Sequence, residues 1–334
     1  MKRWQVLIVA LALASGPFDS GGLAPALAQG EREAEGGANA CPVGWMIEAA
    51  RAGFASGSPA YRTYLAALLK ESGLTVPLDD LVRAVADERD PALLEALGAA
   101  LAARASHAED PALVQGLLDR AVLDGDPALR AAAVRALRAT GSVETMSALG
   151  GGVTYADLAR DPASEVRAAV VDNLVAENRD VYGGRDARVA AAAVEVAAAS
   201  PDPVIAGRVL AEISMEQASA DAVATLTGTL VADAPELRAG AALALGSAPP
   251  SSASRHALVE RYRDERDPTV RRAILQAIAR LGQARAIPTL RSLRGVAPEL
   301  DAELDTWLDV LALGLQEWHL ILREKLKRTR GEPT

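Results

Sequence analysis

Apolar positions recur along the chain in six segments of similar length. Each segment aligns on one apolar residue, here called the anchor, and successive anchors are 36, 37, 39, 32 and 33 residues apart. The anchors are Leu93, Leu129, Val166, Ile205, Leu237 and Val270. A period of this size is typical of proteins built from stacked repeats.

The residues four and eight positions after each anchor are apolar as well. The fourth residues are Leu97, Ala133, Val170, Val209, Ala241 and Ile274, and the eighth are Leu101, Leu137, Leu174, Ile213, Leu245 and Ile278. Offsets of four and eight return to one side of an α-helix. Each segment is therefore predicted to form an amphipathic helix, the anchor helix, with its anchor side buried.

A turn dipeptide precedes each anchor. It is Asp-Pro at residues 90–91, 126–127, 161–162, 202–203 and 267–268, and Ala-Pro at 234–235. Aspartate is expected to cap the free N–H groups, and proline at the first helical position has its φ already set. At Ala234 either Asp233 takes over or the cap is weaker. Gly141, Gly246 and Gly282 are expected to end helices by adopting positive φ.

A second set of apolar helices, the partner helices, is predicted between the anchor helices. Their approximate ranges are 77–87, 111–123, 186–199, 220–231, 251–264 and 284–294. Each unit is then a helical hairpin that cannot cover its own apolar face, so neighbouring units must stack into a superhelix. The pattern breaks at Gly150–Gly152, and Tyr182–Arg185 is predicted to be a loop.

Two of the anchor segments carry a family resemblance. Residues 126–137 (DPALRAAAVRAL) and 267–278 (DPTVRRAILQAI) resemble the second helix of HEAT repeats, in particular the short bacterial type related to phycobilisome lyases. The resemblance covers approximately residues 77–294. It implies an all-α fold, a HEAT-like α-α superhelix or solenoid of stacked helical hairpins, and it says little about activity because one fold hosts many functions.

The resemblance also implies a ladder of charged side chains between units. In the family, an aspartate before the anchor helix and an arginine after the anchor form this ladder. The matching positions here are Asp126/Arg130, Asp161/Arg167 and Asp267/Arg271. Arg238 is in place, but Ala234 replaces the aspartate and Ala206 follows the anchor Ile205. The ladder is therefore expected to be interrupted there.

Composition agrees with helices and disfavours nucleic acid as a partner. Half of the residues are hydrophobic but only 3% are aromatic, so the buried volume must come mainly from Ala, Leu and Val. The formal net charge is −9. Phosphate binding needs clustered excess Lys and Arg, and single strands need aromatic platforms, so no nucleic-acid partner is expected.

The N-terminal residues 1–28 are predicted to be a secretory signal peptide. Lys2 and Arg3 precede an apolar stretch at residues 6–14, and Ala26-Leu27-Ala28 fits a cleavage site. The alternative is an uncleaved anchor, although the stretch is shorter than the ~20 residues of a spanning helix. A periplasmic or secreted protein without a stable membrane span after cleavage is expected. Residues 29–41 are predicted to be a disordered leader ending at Cys41, the only cysteine, which excludes an intramolecular disulfide.

Both ends of the repeat region, which spans residues 77–294, are predicted to be capped. Residues 42–76 are expected to form N-terminal capping helices. Residues 295–334 are predicted to form a long helix with an acidic start and a basic tail, as the helix dipole favours. Trp307 and Trp318 lie on this helix, and they belong either to a closing cap or to a docking surface for another protein.

Patterns for catalysis, metal binding and cofactors are missing from the sequence. His107, His256 and His319 are isolated from one another, and no histidine pair has helical ligand spacing. No nucleophile elbow, phosphate loop or calcium loop is present. The sequence therefore predicts no catalytic residue, no metal site and no cofactor.

Arginines recur on the polar side of the anchor helices, which is notable in an acidic protein. The predicted partner-binding arginines are Arg130, Arg135, Arg138, Arg167, Arg271 and Arg272. They are either solvent-exposed and ladder residues or a basic stripe that accepts an acidic segment of a partner through charge-assisted hydrogen bonds. The leading hypothesis is an exported, non-enzymatic scaffold that binds another protein. A bilin lyase or isomerase, suggested by the resemblance alone, is the alternative.

Overall fold

The protein is built from α-helices arranged in successive hairpins. The computed structural model describes residues 43–72, 83–85, 87–105, 111–138, 141–149 and 152–313, and these residues contain no β-strand. The α-helices are α1 (Val43–Ser56), α2 (Pro59–Ser72), α3 (Pro91–Ala105), α4 (Pro111–Leu123), α5 (Pro127–Ala136), α6 (Ser142–Leu149), α7 (Tyr155–Leu158), α8 (Ser164–Ala176), α9 (Ala187–Ala199), α10 (Pro203–Glu212), α11 (Ala220–Thr229), α12 (Pro235–Ser247), α13 (Ser252–Asp264), α14 (Pro268–Gly282), α15 (Ile287–Ser292) and α16 (Asp301–Ala312).

The helices are arranged in two layers. The anchor helices α3, α5, α8, α10, α12 and α14 pack side by side in chain order and form the anchor layer. The partner helices α4, α6, α7, α9, α11 and α13 lie against them in a second, partner layer. This arrangement confirms the predicted all-α, HEAT-like stack of helical hairpins.

The predicted apolar stripe forms the core. The side chains four positions after the anchors are fully buried in all six units. Of the anchors themselves, Ile205 and Leu237 are half-buried and the other four are buried. The stack thus covers the helix faces that a single hairpin would leave exposed to water.

Four of the predicted aspartate caps form as expected. Asp90 accepts a hydrogen bond from the N–H of Leu93 in α3 at 2.9 Å. Asp126 accepts a hydrogen bond from the N–H of Ala128, and Asp202 and Asp267 accept from the N–H groups at the starts of α10 and α14. Ala234 provides no side-chain cap to α12, so the weaker cap is the one observed.

The expected start of the third anchor helix was wrong by two residues. α8 begins at Ser164 rather than at the Asp-Pro dipeptide, and its N-cap is Ala163. Asp161 accepts a hydrogen bond from the N–H of Ala163 at 2.8 Å, which closes a turn before the helix, and its carboxylate also binds an arginine of the preceding unit. The aspartate therefore organises the turn instead of capping the helix.

The prediction that these glycines end helices by adopting positive φ was wrong at all three positions. α5 already ends at Ala136, with Leu137 as its C-cap. Gly141 has a φ of 73° and lies just before α6. Gly246 lies inside α12, where the helix continues to Ser247. Gly282 ends α14, but the residue with positive φ is the following Gln283, at 46°.

The third unit departs from the hairpin pattern. Its partner helix is divided into α6 and the single-turn α7, as the glycines at 150–152 predicted. After α8 the chain forms a π-helix, Glu177–Val181, and then turns through Gly183 and Gly184 with positive φ. The last predicted partner helix is likewise divided, into a 3-10 segment (Gln283–Ala286) and α15.

The terminal predictions are only partly covered by the structure. α1 and α2 lie where N-terminal capping helices were predicted, and α16 covers the first part of the predicted C-terminal helix. The signal peptide, the leader, Cys41, His107, Trp318, His319 and the basic tail lie outside the described residues.

Candidate interaction surfaces

The ladder predicted from the resemblance runs from the arginine of one unit to an acid of the next. Arg130 on α5 donates from Nε and Nη2 to both carboxylate oxygens of Asp161, at 2.8 and 3.0 Å. Its Nη1 donates to the carbonyl oxygens of Asp124 and Gly125 in its own turn. The hydrogen bond to Asp161 raises the pKa of Arg130. For Asp161, burial opposes ionisation, but the bonds from Arg130 and Ala163 outweigh it and lower the pKa.

The same geometry recurs three units later. Arg238 on α12 donates to the carboxylate of Glu265 at 2.7 and 3.0 Å, and its Nη1 donates to the carbonyl oxygens of Ala232 and Asp233. The guanidinium therefore ties the turn of its own unit to the turn of the next. This bidentate pairing is the strong form of an arginine–carboxylate contact.

Glu265 is the most heavily bonded carboxylate in the described ladder. Besides Arg238, it accepts from Arg261 at 2.7 Å and from the backbone N–H groups of Arg266 and Asp267. Burial of Glu265 opposes ionisation, but these donors outweigh it and lower its pKa to about 2. Asp267, the ladder aspartate expected from the family pattern, caps α14 instead.

Two further contacts extend the ladder. Arg167 lies 3.7 Å from Asp202, and Arg271 donates to Glu299 at 3.1 Å. With Arg130, these residues make three of the six predicted partner-binding arginines members of the ladder. The side chains of Arg130 and Arg167 are each 11% exposed, and that of Arg271 is 17% exposed. Little of each guanidinium therefore faces solvent.

The interruption of the ladder falls between α10 and α12, where it was predicted. Ala206 supplies no arginine and Ala234 no carboxylate, and the two helices meet instead through Gly207 and Gly240. A Cβ added to Gly240 would lie 2.8 Å from the Cα of Gly207 and closer still to its carbonyl oxygen. The backbones approach each other too closely for any side chain at these positions.

The other three predicted arginines, on or next to anchor helices, are more exposed than the ladder arginines. The side chain of Arg135 is 38% exposed, and its nearest acid is Glu95 at 3.8 Å. Arg272 is half exposed and donates to Glu303 at 2.8 Å. Arg138, just after the end of α5, is exposed and makes no ion pair with any residue in the described ranges. The structure therefore separates the predicted stripe into buried ladder residues and these three exposed residues.

Trp307 lies inside the C-terminal part of the stack. Its side chain is 1% exposed and is among the largest fully buried side chains. α16, which carries it, packs against α14 and α15. This position corresponds to the closing-cap alternative for Trp307, since the indole has almost no surface to offer a partner.

Sequence reasoning missed a buried polar network at the divided unit. The Glu177 carboxylate is fully buried and accepts from the backbone N–H groups of Ser142 and Val143, at 2.8 and 3.2 Å, and from the Ser142 hydroxyl. The Ser142 hydroxyl lies 2.7 Å from the Tyr155 hydroxyl, which in turn accepts from Asn173. Burial raises the pKa of Glu177 and raises that of Tyr155 well above its ordinary value.

No arginine or lysine in the described residues pairs with Glu177. The buried Glu88 and Glu265, which organise turns in other units, are both paired with arginines. A repeated tetrapeptide, Glu-Arg-Asp-Pro at residues 88–91 and 265–268, is a sequence signal for those two. Glu177 has no such signal, because its donors lie 34 and 35 residues earlier in the chain.

A cleft opens on the partner layer beside this network. It has a volume of about 210 Å³ and lies between α6, α7 and α9. Its lining residues are Val143, Met146, Thr154, Tyr155, Ala156, Arg188, Ala191, Ala192 and Glu195. The walls are mainly apolar, and Arg188 and Glu195 are the charged residues among them.

Within the described residues, no group of three or more His, Cys, Asp and Glu side chains is placed to hold a metal ion. None of the described helices is both long and apolar enough to cross a membrane.

Comparison with known proteins supports the repeat architecture. A family model described as HEAT repeats matches residues 190–279 and 230–301. These matches cover the units from α9 to the start of α16. No curated protein matches the sequence.

Proposed function

We propose that the protein is an exported, non-enzymatic scaffold that binds another protein along the anchor layer. The HEAT repeats at residues 190–301 support a role as a scaffold. HEAT repeats form helical scaffolds for protein interaction and are typically not enzymes.

The exposed arginines of the anchor layer are the observation that carries the proposed binding face. Arg135 and Arg138 follow one another by three residues along α5 and its end, so they project from one side of the helix. Arg138 has no ion-pair partner in the described part of the chain, and Arg135 has only a distant one. Both guanidinium groups are therefore available to a carboxylate of a partner.

The ladder supports this role by fixing the spacing of the units. Arg130–Asp161 and Arg238–Glu265 tie each turn to the next with two hydrogen bonds apiece. A wall with fixed spacing binds an extended partner without first losing conformational freedom, which favours affinity. The partner proposed here is a protein with an acidic segment.

Export is supported by the N-terminal sequence. The basic residues Lys2 and Arg3, the apolar stretch at residues 6–14 and the sequence Ala26-Leu27-Ala28 are the features of a secretory signal. Edman sequencing of the protein purified from the envelope fraction tests this part. A mature N-terminus at Gln29 supports export, and an intact Met1 in the cytoplasmic fraction contradicts it.

Charge reversal tests the binding face. The double variant Arg135→Glu/Arg138→Glu is compared with Arg263→Glu/Arg285→Glu, which makes the same charge change on exposed arginines outside the anchor layer. Each protein is used as bait for affinity capture from the envelope fraction, and the captured proteins are quantified by mass spectrometry. The first variant is expected to lose about tenfold or more of its principal partner, while the control retains it. Equal capture by both variants, at unchanged melting temperature, would reject the proposed face.

A further inference from the structure

The contact between α8 and α10 is the least extensive one between consecutive anchor helices in the described part of the chain. The flanking pairs, α5 with α8 and α10 with α12, pack against each other far more extensively. The anchor of α10, Ile205, is only half-buried, whereas the anchor of α8, Val166, is fully buried. The boundary between the unit of α8 and the unit of α10 is called the joint below.

The ladder is weakest at the joint. Arg167 on α8 holds its own turn as the other ladder arginines do, because its Nη1 donates to the carbonyl oxygens of Asp161 and Pro162 at 2.8 and 2.9 Å. In Arg130 and Arg238, the Nε donates to a carboxylate of the next unit at 2.8 and 2.7 Å. The Nε of Arg167 is buried and has no hydrogen-bond partner among the described residues, and its Nη2 lies 3.7 Å from the carboxylate of Asp202. The joint therefore lacks the bidentate bond found elsewhere in the ladder.

Exposed ion pairs are the other side-chain links across the joint. Arg208 on α10 donates to Asp172 on α8 at 2.7 Å, and nearly half of each side chain is exposed. Arg185 lies 3.3 Å from Glu216, and both side chains are largely exposed. Exposed pairs of this kind contribute little to stability in water and are screened by salt. They hold the two units together only weakly.

The partner layer is closed at the same joint. α9 contacts both α6 and α7, and Arg188 on α9 pairs with Glu144 on α6 at 3.2 Å. The chain crosses the joint in the loop of residues 182–186, where Gly183 and Gly184 have positive φ. Loop residues at such a boundary absorb the dihedral changes of a rotation between two bodies. The contact of α9 with α6 and α7 is therefore placed as a pivot, and the α8–α10 side is the one that can open.

The units on either side of the joint are firmly held together. On the N-terminal side, Asn173 of α8 donates to the buried carbonyl oxygen of Val134 on α5, and Glu177 joins the end of α8 to α6. On the C-terminal side, the backbones of α10 and α12 meet at Gly207 and Gly240, and α12 packs extensively against α14. Each side therefore moves as one body.

We infer that the joint is a hinge, at which the units up to α8 and the units from α9 onward rotate as two bodies about the contact of α9 with α6 and α7. When the α8–α10 side closes, Arg167 comes within bonding distance of Asp202 and completes the ladder. The rotation changes the spacing between Arg135 in the first body and Arg272 in the second, and with it the curvature of the anchor layer. The hinge itself does not depend on the proposed partner.

Distances between two spin labels test the hinge in the full chain with Cys41→Ser. Each label replaces the exposed residue just before an anchor. The pair Glu165→Cys/Glu236→Cys, on α8 and α12, crosses the joint. The control pair Val204→Cys/Thr269→Cys, on α10 and α14, spans the same number of helices without crossing it. Pulsed electron paramagnetic resonance is expected to give a distance distribution at least about twofold broader for the first pair, and high salt is expected to broaden it further while the control stays unchanged.

Charge variants in the labelled proteins test the links across the joint. Asp202→Asn keeps a side chain that can cap α10 but removes the negative charge that Arg167 meets on closing, so the shorter distances are expected to be lost. Asp172→Asn removes the acid that Arg208 meets across the joint and is expected to broaden the distribution. Glu212→Gln removes the acid that Arg208 meets within α10 and is expected to have no effect.

Three results would overturn the inference: equally narrow distributions for the two label pairs, shorter distances that persist in Asp202→Asn, or equal effects of Asp172→Asn and Glu212→Gln. The measurement contains no partner protein. Its outcome is therefore separate from the outcome of the capture experiment on the proposed binding face.

Discussion

Arg238 and Glu265 are joined by two hydrogen bonds across consecutive units, although the family pattern assigns the acceptor position to Asp267. The acceptor has moved two residues upstream, and Asp267 is left to cap α14. One turn thus uses two different carboxylates for the two tasks of joining units and starting a helix. The equivalent turn at Glu88 and Asp90 does the same, with Arg51 as the donor.

The first prediction concerns the pH dependence of this contact. The pKa of Glu265 is about 2 in the folded protein, against an ordinary value of 4.5, so its stabilisation is fully present above the unfolded value and is lost as the pH falls toward 2. The difference corresponds to roughly 3 kcal/mol at neutral pH. Glu265→Gln should therefore destabilise strongly at pH 7 and progressively less below pH 4. Urea unfolding at several pH values measures this, and a loss that does not change with pH would contradict it.

Glu177→Gln should show the opposite pH dependence. Burial without a cationic partner raises the pKa of Glu177, so the folded state favours the protonated form and the associated stability is lost as the pH rises through the folded pKa. Glutamine does not titrate. The variant should therefore be less stable than the wild type by a larger margin at pH 4.5 than at pH 7.5. Both Glu variants belong in one set of urea titrations, where parallel pH profiles would count against the two assignments.

The third prediction follows from the close packing of α10 against α12. Gly207→Ala would place its Cβ against the Glu236 carbonyl of the neighbouring helix and should destabilise by about 1–3 kcal/mol. Gly116 on α4 has open space around it, so Gly116→Ala should stabilise by about 0.5–1 kcal/mol through its helix propensity. Thermal unfolding of the two variants provides the comparison. If Gly207→Ala were also stabilising, the close contact would be wrong.

The fourth prediction distinguishes the two roles proposed for Trp307, which are a closing cap and a docking surface. Trp307→Ala removes one of the largest buried side chains and should destabilise by about 3–5 kcal/mol. Trp307→Phe keeps most of the packing and should lose clearly less. Calorimetry gives both values, and the pulldown of the proposed partner by the Phe variant should be normal. Loss of capture by a fully stable Trp307→Ala protein would favour docking.

Much of the fold follows from local rules that the sequence displays. The spacing of the anchors, the Asp-Pro caps and the break at residues 150–152 each depend on residues within a few positions of one another. The caps that form are Asp90, Asp126, Asp202 and Asp267. Hydrophobic periodicity and capping act over one or two helical turns, so the helices that they produce can be predicted from a single sequence. The interruption of the ladder at Ala206 and Ala234 could also be predicted from the sequence. Alignment of the repeats shows that the arginine and the aspartate of the other units are missing at these two positions.

The tertiary structure decided which charged groups remain for binding. The sequence gives Arg130 and Arg135 the same helix and the same chemistry, yet one is nearly buried against Asp161 and the other is exposed. Likewise, the donors to Glu177 come from α6, 34 and 35 residues away. Such contacts depend on how one unit is placed against the next, and that placement is set by the summed packing of many side chains rather than by any local pattern. The sequence by itself determined the repeated helices, and only their packing decided which arginines join units, where Trp307 is enclosed and where a cleft is left open.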